Sequence, residues 1–291
     1  MYEKYWGLQE KPFRNTPDPR FMCPFNQYSD AQMKLTYAVR ENMGAAMMTG
    51  VFGCGKTLVI RALLASLQSQ SYAVSYISHP PASGEEFLRS VVRHLKYSEL
   101  PDRKSELLED SLLEHFQAQV EDNVREGKET LVVLDEAHAV GSEEIFEKIR
   151  LLLNFQGDDR FLISLILVGQ PELAGKVANL RQLEQRIAIR CHLGPLDREQ
   201  ATKYVQHRLQ VAGREEEIFT PDALDVIFQE SGGIPRRINH CCDLSLMTGF
   251  ARKSDRVTPE VYRESREIFG GESPREPAGG EGGRLSALGQ S

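Results

Sequence analysis

Residues 50–57 constrain this chain more than any other segment, because their sequence, GVFGCGKT, matches the pattern G-x-x-x-x-G-K-[ST] at every position. A short apolar stretch at 45–49 precedes them, and apolar residues at helical spacing follow over 56–70. Glycines let such a loop wrap around a phosphate, with backbone N–H groups and the positive end of the next helix facing its oxygens. The pattern predicts a strand, a phosphate-binding loop (the P-loop) and a helix.

This motif predicts ATP and Mg²⁺ as ligands. Lys56 would reach the β- and γ-phosphates, and the Thr57 hydroxyl would ligate Mg²⁺. The remaining predicted phosphate-binding positions are those whose backbone surrounds the nucleotide: Gly50, Gly53, Cys54, Gly55 and Leu58.

An acidic pair follows a second apolar stretch, residues 130–134. A continuously apolar strand is typical of the centre of a parallel sheet, and it would deliver Asp135 and Glu136 beside the P-loop. Asp135 would hold Mg²⁺, and Glu136 would act as general base towards an attacking water. The alternative is a strand that merely ends in solvated acids. With the P-loop upstream, the favoured prediction is an ATPase.

Two polar residues are predicted near these acids. Residues 135–138 spell the box of one helicase superfamily, but the arginine-rich motif of that superfamily is not found, so His138 is expected to orient the acids or cap a turn. Gln170 follows the strand predicted at 161–168 and is a candidate to position water and sense the nucleotide. The alternative for Gln170 is an amide that closes a turn.

Arginines supply the last candidates. Arg186 would lie on the outside of the domain and could be an arginine finger that reaches the ATP of a neighbour, which requires an oligomer; Arg181 is the second choice. A surface salt bridge is the alternative. Arg236, at a loop entering a helix, could swing over the γ-phosphate, whereas Arg237 is expected to face solvent. An ordinary charged helix start is the alternative for both.

The order of elements predicts an α/β fold: a P-loop NTPase parallel sheet with helices on both faces, followed by a small all-helical domain. The α/β domain spans 29–195. Helix starts at Asp197, Thr220 and Thr258 place the helical domain at 196–268. The predicted strands are 45–49, 72–77, 130–134, 161–168 and 187–193, and the predicted helices of the first domain are 29–42, 56–70, 83–96, 104–125 and 142–154.

The two ends of the chain differ from these domains. Residues 1–28 are rich in aromatic residues and proline, and we expect an extended segment packed on the main domain. Its rings would either fill a surface groove or help to wall an adenine pocket. Residues 269–291 contain many Gly, Pro, Glu and Ser residues and are expected to be disordered.

Composition narrows the class of protein. With 41% hydrophobic and 26% charged residues it is typical of a globular protein, and no apolar run approaches the roughly 18–20 residues of a membrane-spanning helix. The first residues do not resemble a secretory signal, so the cytoplasm is the expected compartment. Five irregularly spaced cysteines favour neither a disulfide framework nor a zinc site. A net charge of −7 does not indicate a general nucleic-acid binder.

The combined motifs resemble the AAA+ ATPases, whose helical domain is called the lid. The motifs YWGL at 5–8, PF at 12–13, PDPRF at 17–21, LVGQPEL at 167–173 and LEQRI at 183–187 further resemble the general secretion pathway protein A family, which is similar to ATP-dependent regulators of bacterial transposons. The resemblance covers about residues 1–268. It implies a bacterial ATPase that forms rings or filaments and remodels or positions another complex; secretion members help to assemble a secretin pore.

Three functions follow as hypotheses. The first is an oligomeric ATPase serving envelope assembly, secretion or polysaccharide export, acting on an unknown protein client and peripheral at the inner membrane through a partner. The second is an ATP-dependent DNA-associated regulator, with a basic face formed by Arg236, Arg237, Arg252, Lys253 and Arg256; a solvated helical surface is the alternative interpretation of these residues. The third is a switch that barely hydrolyses ATP, and the presence of Glu136 argues against it.

Overall fold

The computed structural model describes residues 1–24, 26–67, 71–95, 109–157 and 160–269. Its centre is a five-stranded sheet in the order β2-β3-β4-β1-β5, and every neighbouring pair is parallel. The strands are β1 (Ala45–Gly50), β2 (Tyr72–Ile77), β3 (Glu129–Leu134), β4 (Ile163–Gly169) and β5 (Ile187–Leu193). The predicted α/β class and its parallel sheet are confirmed.

The three central strands bring the candidate motifs together. All residues of β1 and β4 are buried, as are five of the six in β3, because helices cover both faces of the sheet. β4 lies between β1 and β3, so the loops after these three strands leave the sheet at one edge. That edge therefore holds the P-loop, the Asp135-Glu136 pair and Gln170 side by side.

Helices form a layer on each face of the sheet. They are α1 (Asn26–Arg40), α2 (Lys56–Ser66), α3 (Gly84–His94), α4 (Glu109–Arg125), α5 (Glu143–Leu152), α6 (Glu172–Ala178) and α7 (Arg181–Glu184). Leu35 of α1 and Ile60 of α2 belong to one buried apolar cluster. Phe87 of α3 and Phe116 of α4 belong to the other.

The helical domain consists of α8 (Arg198–Val211), α9 (Pro221–Ser231), α10 (Pro235–Arg252) and α11 (Pro259–Phe269). The predicted start at Asp197 is a capping box with Gln200, and the Thr220 side chain caps α9. A fourth start, with Pro235 at the first turn of α10, was predicted only as a loop entering a helix.

The rings at the chain start correct one prediction. They pack on the helical domain, whereas the sequence was interpreted as placing them on the main domain. Trp6 donates from Nε1 to the carbonyl oxygen of Leu246 at 2.9 Å. Its ring occupies space at α10 that is open only because residue 249 is glycine: a Cβ there would lie 2.7 Å from the ring. The same segment continues past the α/β domain, where Pro17 accepts a hydrogen bond from Arg61.

Several predicted boundaries are wrong by a few residues. α1 begins at Asn26, before the predicted cap Ser29, and α2 ends at Ser66 because Leu67 is extended. β4 begins at Ile163, two residues after its predicted start. The predicted helix start at 104 lies outside the described residues, as does all of the predicted disordered tail except Phe269. Phe269 is the last residue of α11, so the prediction is wrong at that position.

Two classes of feature are absent from the described part of the chain. None of its helices is long and apolar enough to cross a bilayer. Its His, Cys, Asp and Glu side chains form no group of three or more that could hold a metal ion.

Candidate nucleotide-binding site

The glycines of the P-loop are required by their conformation and neighbours. Gly53 and Gly55 have φ values of +85° and +96°, a region that favours glycine. Glycine is required at position 50 for a different reason. A Cβ at this position would lie 2.5 Å from the carbonyl oxygen of Leu193 on the neighbouring strand. The loop thus passes close to β5 and then turns into α2 with its backbone N–H groups at the sheet edge.

The P-loop is fixed to the protein interior at Cys54. The Cys54 side chain is fully buried, so Cys54 can contribute only its backbone to a ligand, as predicted for this position. The hydroxyl of Tyr28 on α1 donates to the Cys54 carbonyl oxygen at 3.0 Å. The sequence analysis missed this role of Tyr28, which lies outside the recognised motif.

Lys56 is buried at the first turn of α2, with 6% of its surface exposed. Its ammonium donates to the carbonyl oxygens of Gly50 at 2.7 Å and Val51 at 3.2 Å. Burial lowers the pKa of Lys56, and the nearby carboxylate of Glu136 partly offsets this effect. A phosphate would supply this buried cation with a negative partner.

Asp135 accepts three hydrogen bonds while only 2% exposed. Its Oδ2 accepts from the Thr57 hydroxyl at 3.0 Å and the Tyr76 hydroxyl at 2.9 Å, and Oδ1 accepts from the N–H of Glu136 at 2.9 Å. The predicted Mg²⁺ ligands Thr57 and Asp135 are therefore in direct contact. Tyr76, the penultimate residue of β2, was missed; its position at a strand end beside β3 is the signal that could have identified it.

Glu136 stands at the mouth of the site. Its φ and ψ are 53° and 30°, a left-handed conformation that is costly for a residue other than glycine and is found preferentially at functional sites. The Glu136 side chain is 36% exposed, so one carboxylate remains accessible beside the fully enclosed Asp135. Its Oε2 lies 3.4 Å from Nδ1 of His138.

Gln170 lies at the carboxyl end of β4, as predicted, but its direct partner is His138. The Gln170 Nε2 atom is 2.9 Å from His138 Nε2. Gln170 faces a cleft shared with Phe52 and Arg236, next to the cavity that holds Lys56 and Glu136. The structure therefore places His138 between Gln170 and Glu136.

A cavity of roughly 240 Å³ opens beside the P-loop. One side of the cavity brings together most of the predicted site residues. It is lined by Gly53, Gly55, Lys56, Thr57, Leu58, Glu136 and Arg236. The other side is lined by the chain-start residues Arg14, Asn15, Thr16 and Pro17. Of the two alternatives for this segment, its rings fill grooves on the helical domain, while the residues after Phe13 border the cavity.

A buried arginine fixes that strap of residues 14–17. Arg208 on α8 donates to the carbonyl oxygens of Pro12 and Arg14 and to the hydroxyl of Tyr204. Asn239 accepts from Tyr204 and donates to Asn15 at 2.9 Å. The helical domain thus holds the strap over the cavity through contacts that no short sequence motif indicates.

Arg236 and the P-loop are in contact. The N–H of Arg236 donates to the Gly53 carbonyl oxygen at 3.2 Å, and its guanidinium lies 4.8 Å from the centre of the Phe52 ring. The exposed Arg237 donates to the Glu230 carbonyl oxygen. Arg236 is therefore the arginine of this pair that borders the nucleotide cavity.

Arg186 lies at the far edge of the sheet. Its carbonyl oxygen accepts from the N–H of Ala45, the first residue of β1, whereas the P-loop follows the last. Its guanidinium is half-buried and donates to the Leu153 carbonyl oxygen and to Asn154. Arg181 is exposed at the start of α7. Neither arginine borders the cavity of its own chain.

Two of the five residues of the basic face considered for DNA have acidic partners. Arg252 is paired with Glu264, and Arg256 with Glu217 at 2.8 Å. Arg236 is stacked on Phe52. This arrangement favours the interpretation of a solvated helical surface over that of a phosphate-binding one.

The residues present fit ATP and Mg²⁺. Among the described residues, the buried ammonium of Lys56 has two carbonyl oxygens as hydrogen-bond acceptors, which suits a phosphate ligand. The adjoining hydroxyl of Thr57 and carboxylate of Asp135 are hard oxygen donors of the kind that Mg²⁺ prefers. The loop backbone, held open by glycines, offers N–H groups to the same ligand.

Comparisons with known proteins agree with this geometry. Residues 39–177 match the family model described as AAA domain. The chain superposes on the crystal structure of Cdc6p from Pyrobaculum aerophilum with a TM-score of 0.68 and 18% identity, covering 88% of this chain and 72% of that one. Residues 39–177 form an AAA domain.

Two further relatives refine this assignment. The chain is 37% identical over 259 residues to general secretion pathway protein A of Aeromonas hydrophila, covering 88% of this chain and 46% of the relative. The ORC2 protein of Aeropyrum pernix, in ADPNP and ADP complexes, has a TM-score of 0.66 at 17% identity, covering 89% of this chain and 71% of that one. The predicted resemblance is confirmed, although the match spans less than half the length of the Aeromonas protein.

Proposed function

We propose that this protein binds ATP with Mg²⁺ and hydrolyses it to ADP and phosphate. The observation that carries the proposal is the meeting of Lys56, Thr57 and the Asp135-Glu136 pair at one edge of the sheet. A cation, two oxygen donors and an accessible carboxylate are the groups that phosphoryl transfer to water requires.

Each residue has a distinct role in this proposal. Lys56 leaves the Gly50 and Val51 carbonyl oxygens to bind the β- and γ-phosphates. Thr57 and Asp135 hold Mg²⁺, which would neutralise charge on the phosphate oxygens. Glu136 accepts a proton from the attacking water, and Arg236 neutralises charge at the γ-phosphate from the helical domain.

Two variants test this assignment. Lys56→Ala should abolish ATP binding, whereas exposed Lys34→Ala should not change it. Glu136→Gln should keep ATP binding and lower turnover at least a hundredfold, since general-base catalysis contributes about that much or more. The control is Glu143→Gln, at the exposed start of α5. Unchanged turnover in Glu136→Gln would refute the assigned base.

The proposed active form is a nucleotide-dependent homo-oligomer, a ring or filament. Arg186 supports this proposal because it lies at the sheet edge opposite its own P-loop and does not border the nucleotide cavity of its own chain. Mixing Arg186→Ala with Glu136→Gln tests it, since a subunit with an intact base would receive its arginine from the other variant. Recovery of turnover in the mixture supports a shared site. If the turnover of the mixture does not exceed that of the separate variants, Arg186 does not act in trans.

The biological process proposed is assembly or remodelling of an envelope, secretion or export complex, at the inner membrane through a partner. Its support is the 37% identity to general secretion pathway protein A. DNA binding is not favoured, because Arg252 and Arg256 are paired with acids. Anisotropy of a labelled duplex with a slowly hydrolysed ATP analogue checks this point. Salt-sensitive binding that needs the analogue would reverse the preference.

A further inference from the structure

Three side chains form a chain of contacts beside the nucleotide cavity. Gln170 follows β4, while Glu136 and His138 follow β3, His138 lying in a short 3-10 helix (Ala137–Ala139). His138 Nε2 is 2.9 Å from the Gln170 amide nitrogen, and His138 Nδ1 is 3.4 Å from Glu136 Oε2. The imidazole therefore contacts one neighbour with each of its ring nitrogens.

In this structure the nitrogen of the Gln170 amide faces the ring, and this orientation decides which ring nitrogen of a neutral His138 carries the proton. An amide nitrogen only donates hydrogen bonds, so the His138 Nε2 atom facing Gln170 must accept. A neutral imidazole carries one N–H, which leaves its proton on Nδ1. Nδ1 is buried and makes no hydrogen bond of normal geometry with any described residue. Glu136 Oε2, 3.4 Å away, is an acceptor beside this nitrogen, but the contact does not have hydrogen-bond geometry in this arrangement.

The backbone around His138 is held by the same segment that carries Gln170. Lys176 on α6 donates to the carbonyl oxygens of His138 at 2.6 Å and Val140 at 2.8 Å. A Cβ at Gly169 would lie 3.0 Å from the His138 backbone nitrogen, so the end of β4 is packed directly against this turn. A change at Gln170 is therefore transmitted to the His138 ring rather than absorbed by a mobile backbone.

We propose that His138 is a positioning residue that transmits the orientation of the Gln170 amide to Glu136. The proposal rests on the proposed function, since it takes Glu136 as the base. The Nδ1–H donates to Oε2 and leaves Oε1 to accept a proton from water. A small movement of the Glu136 side chain that shortens this 3.4 Å contact and aligns Oε2 with the N–H would form the hydrogen bond.

The same geometry provides an off state. If the Gln170 amide turns its oxygen towards the ring, Nε2 must carry the proton, which the ring exchanges through water. Nδ1 then becomes an acceptor and cannot hydrogen-bond to a carboxylate. Glu136 would lose its support, so the base would be in place only while Gln170 presents its nitrogen.

Nitrogen NMR of the full chain tests the tautomer without requiring hydrolysis. With ¹⁵N-labelled histidine at about pH 8, above the usual pKa of histidine, the signal missing from His138→Ala identifies this ring among the seven histidines. We expect the Nδ1–H form, and Gln170→Ala should shift the population towards Nε2–H. Gln182→Ala, an exposed glutamine on α7, should leave it unchanged. An Nε2–H form in the unaltered chain, or no response to Gln170→Ala, overturns the proposal.

Kinetics separate this role from a structural one. An asparagine amide can occupy the position of Nδ1, whereas a glutamine amide reaches that of Nε2. We expect His138→Asn to retain most turnover and His138→Gln and His138→Ala to lose about tenfold to a hundredfold in kcat, the range for a hydrogen bond to a charged group, with KM for ATP unchanged. Equal losses in the Asn and Gln variants, or a rise in KM instead, would contradict it. Turnover that survives Glu136→Gln would refute the proposed base and leave the tautomer result standing.

Discussion

The backbone N–H of Arg236 donates a hydrogen bond to the carbonyl oxygen of Gly53 at 3.2 Å, so main-chain atoms join the helical domain to the P-loop. A Cβ at Gly53 would lie 2.9 Å from the Arg236 Cβ, which makes the approach tight. The guanidinium stacks on Phe52. Changing the arginine side chain therefore removes its charge without removing the main-chain contact between the two domains.

Arg236→Ala should weaken the response to the γ-phosphate while leaving the fold intact. We expect ATP affinity to fall about tenfold and ADP affinity to change little, because a charge-assisted hydrogen bond to phosphate contributes about 1.5 kcal/mol or more. Competition with a fluorescent nucleotide measures both affinities. Arg237→Ala is the control, since Arg237 donates to Glu230 away from the cavity. Equal losses of ATP and ADP affinity would argue against γ-phosphate contact.

Tyr76→Phe should raise the Mg²⁺ concentration needed for half-maximal ATPase activity by about tenfold. The Tyr76 hydroxyl orients the Asp135 carboxylate, and loss of such a partner behind a metal ligand typically costs at least that factor in affinity. Burial, reinforced by Asp135, raises the pKa of Tyr76, so its hydroxyl remains a donor throughout the neutral range. Tyr72→Phe, at the other end of β2, should leave the Mg²⁺ requirement unchanged. An unshifted Mg²⁺ titration in Tyr76→Phe would remove this tyrosine from the site.

Gly233→Ala should destabilise the junction between the domains. Gly233 has a φ of +72°, and a Cβ there would lie 2.0 Å from the carbonyl oxygen of Leu196. We expect the free energy of unfolding to fall by about 3 kcal/mol or more, from the combined backbone strain and overlap. Urea denaturation measures this loss. Gly194→Ala, where a Cβ would meet nothing within 4 Å, should cost far less. Similar stabilities for the two variants would contradict the junction geometry.

Trp6 offers a direct probe of the helical domain, since it is the single tryptophan of the chain and is 3% exposed against α10. Trp6→Ala should lower the free energy of unfolding by about 3–5 kcal/mol. In the unaltered chain, tryptophan fluorescence should shift to longer wavelength in the same urea range in which the helical content falls. Lys4→Ala, at an exposed position in the same segment, is the control. A fluorescence change well before helix loss would show that this segment detaches first.

Short-range patterns were enough to predict the strands, the P-loop and the acidic pair. The apolar run of β3 is typical of a buried strand, and a loop motif that ends in Lys56 and Thr57 specifies its own backbone geometry. Gln170 was placed correctly at the end of β4 by the same reasoning. Parallel strands that are joined by right-handed crossovers all end at the same edge of the sheet. The residues that follow these strands therefore meet there, which makes this part of the site predictable.

Contacts between distant segments were not predictable in this way. Tyr76 contacts Asp135 across strands, and Arg208 contacts carbonyl oxygens nearly two hundred residues away in the chain. The packing of helices and strands decides which residues they contact. The spacing of apolar residues along the sequence does not reveal these contacts. The aromatic rings of residues 1–28 were assigned to the wrong domain for the same reason. Aromatic residues indicate that a segment is buried, but they do not identify the surface on which it packs.

The packing of Trp6 against α10 also determines where this protein can be truncated without exposing buried surface. A fragment covering only 196–269 would expose the groove around Gly249 and leave the Leu246 carbonyl oxygen without its indole partner. The helical domain is thus made of two pieces of chain that lie on either side of the α/β domain in the sequence. During translation, the ring of Trp6 can be covered only after the whole α/β domain and α10 have been made.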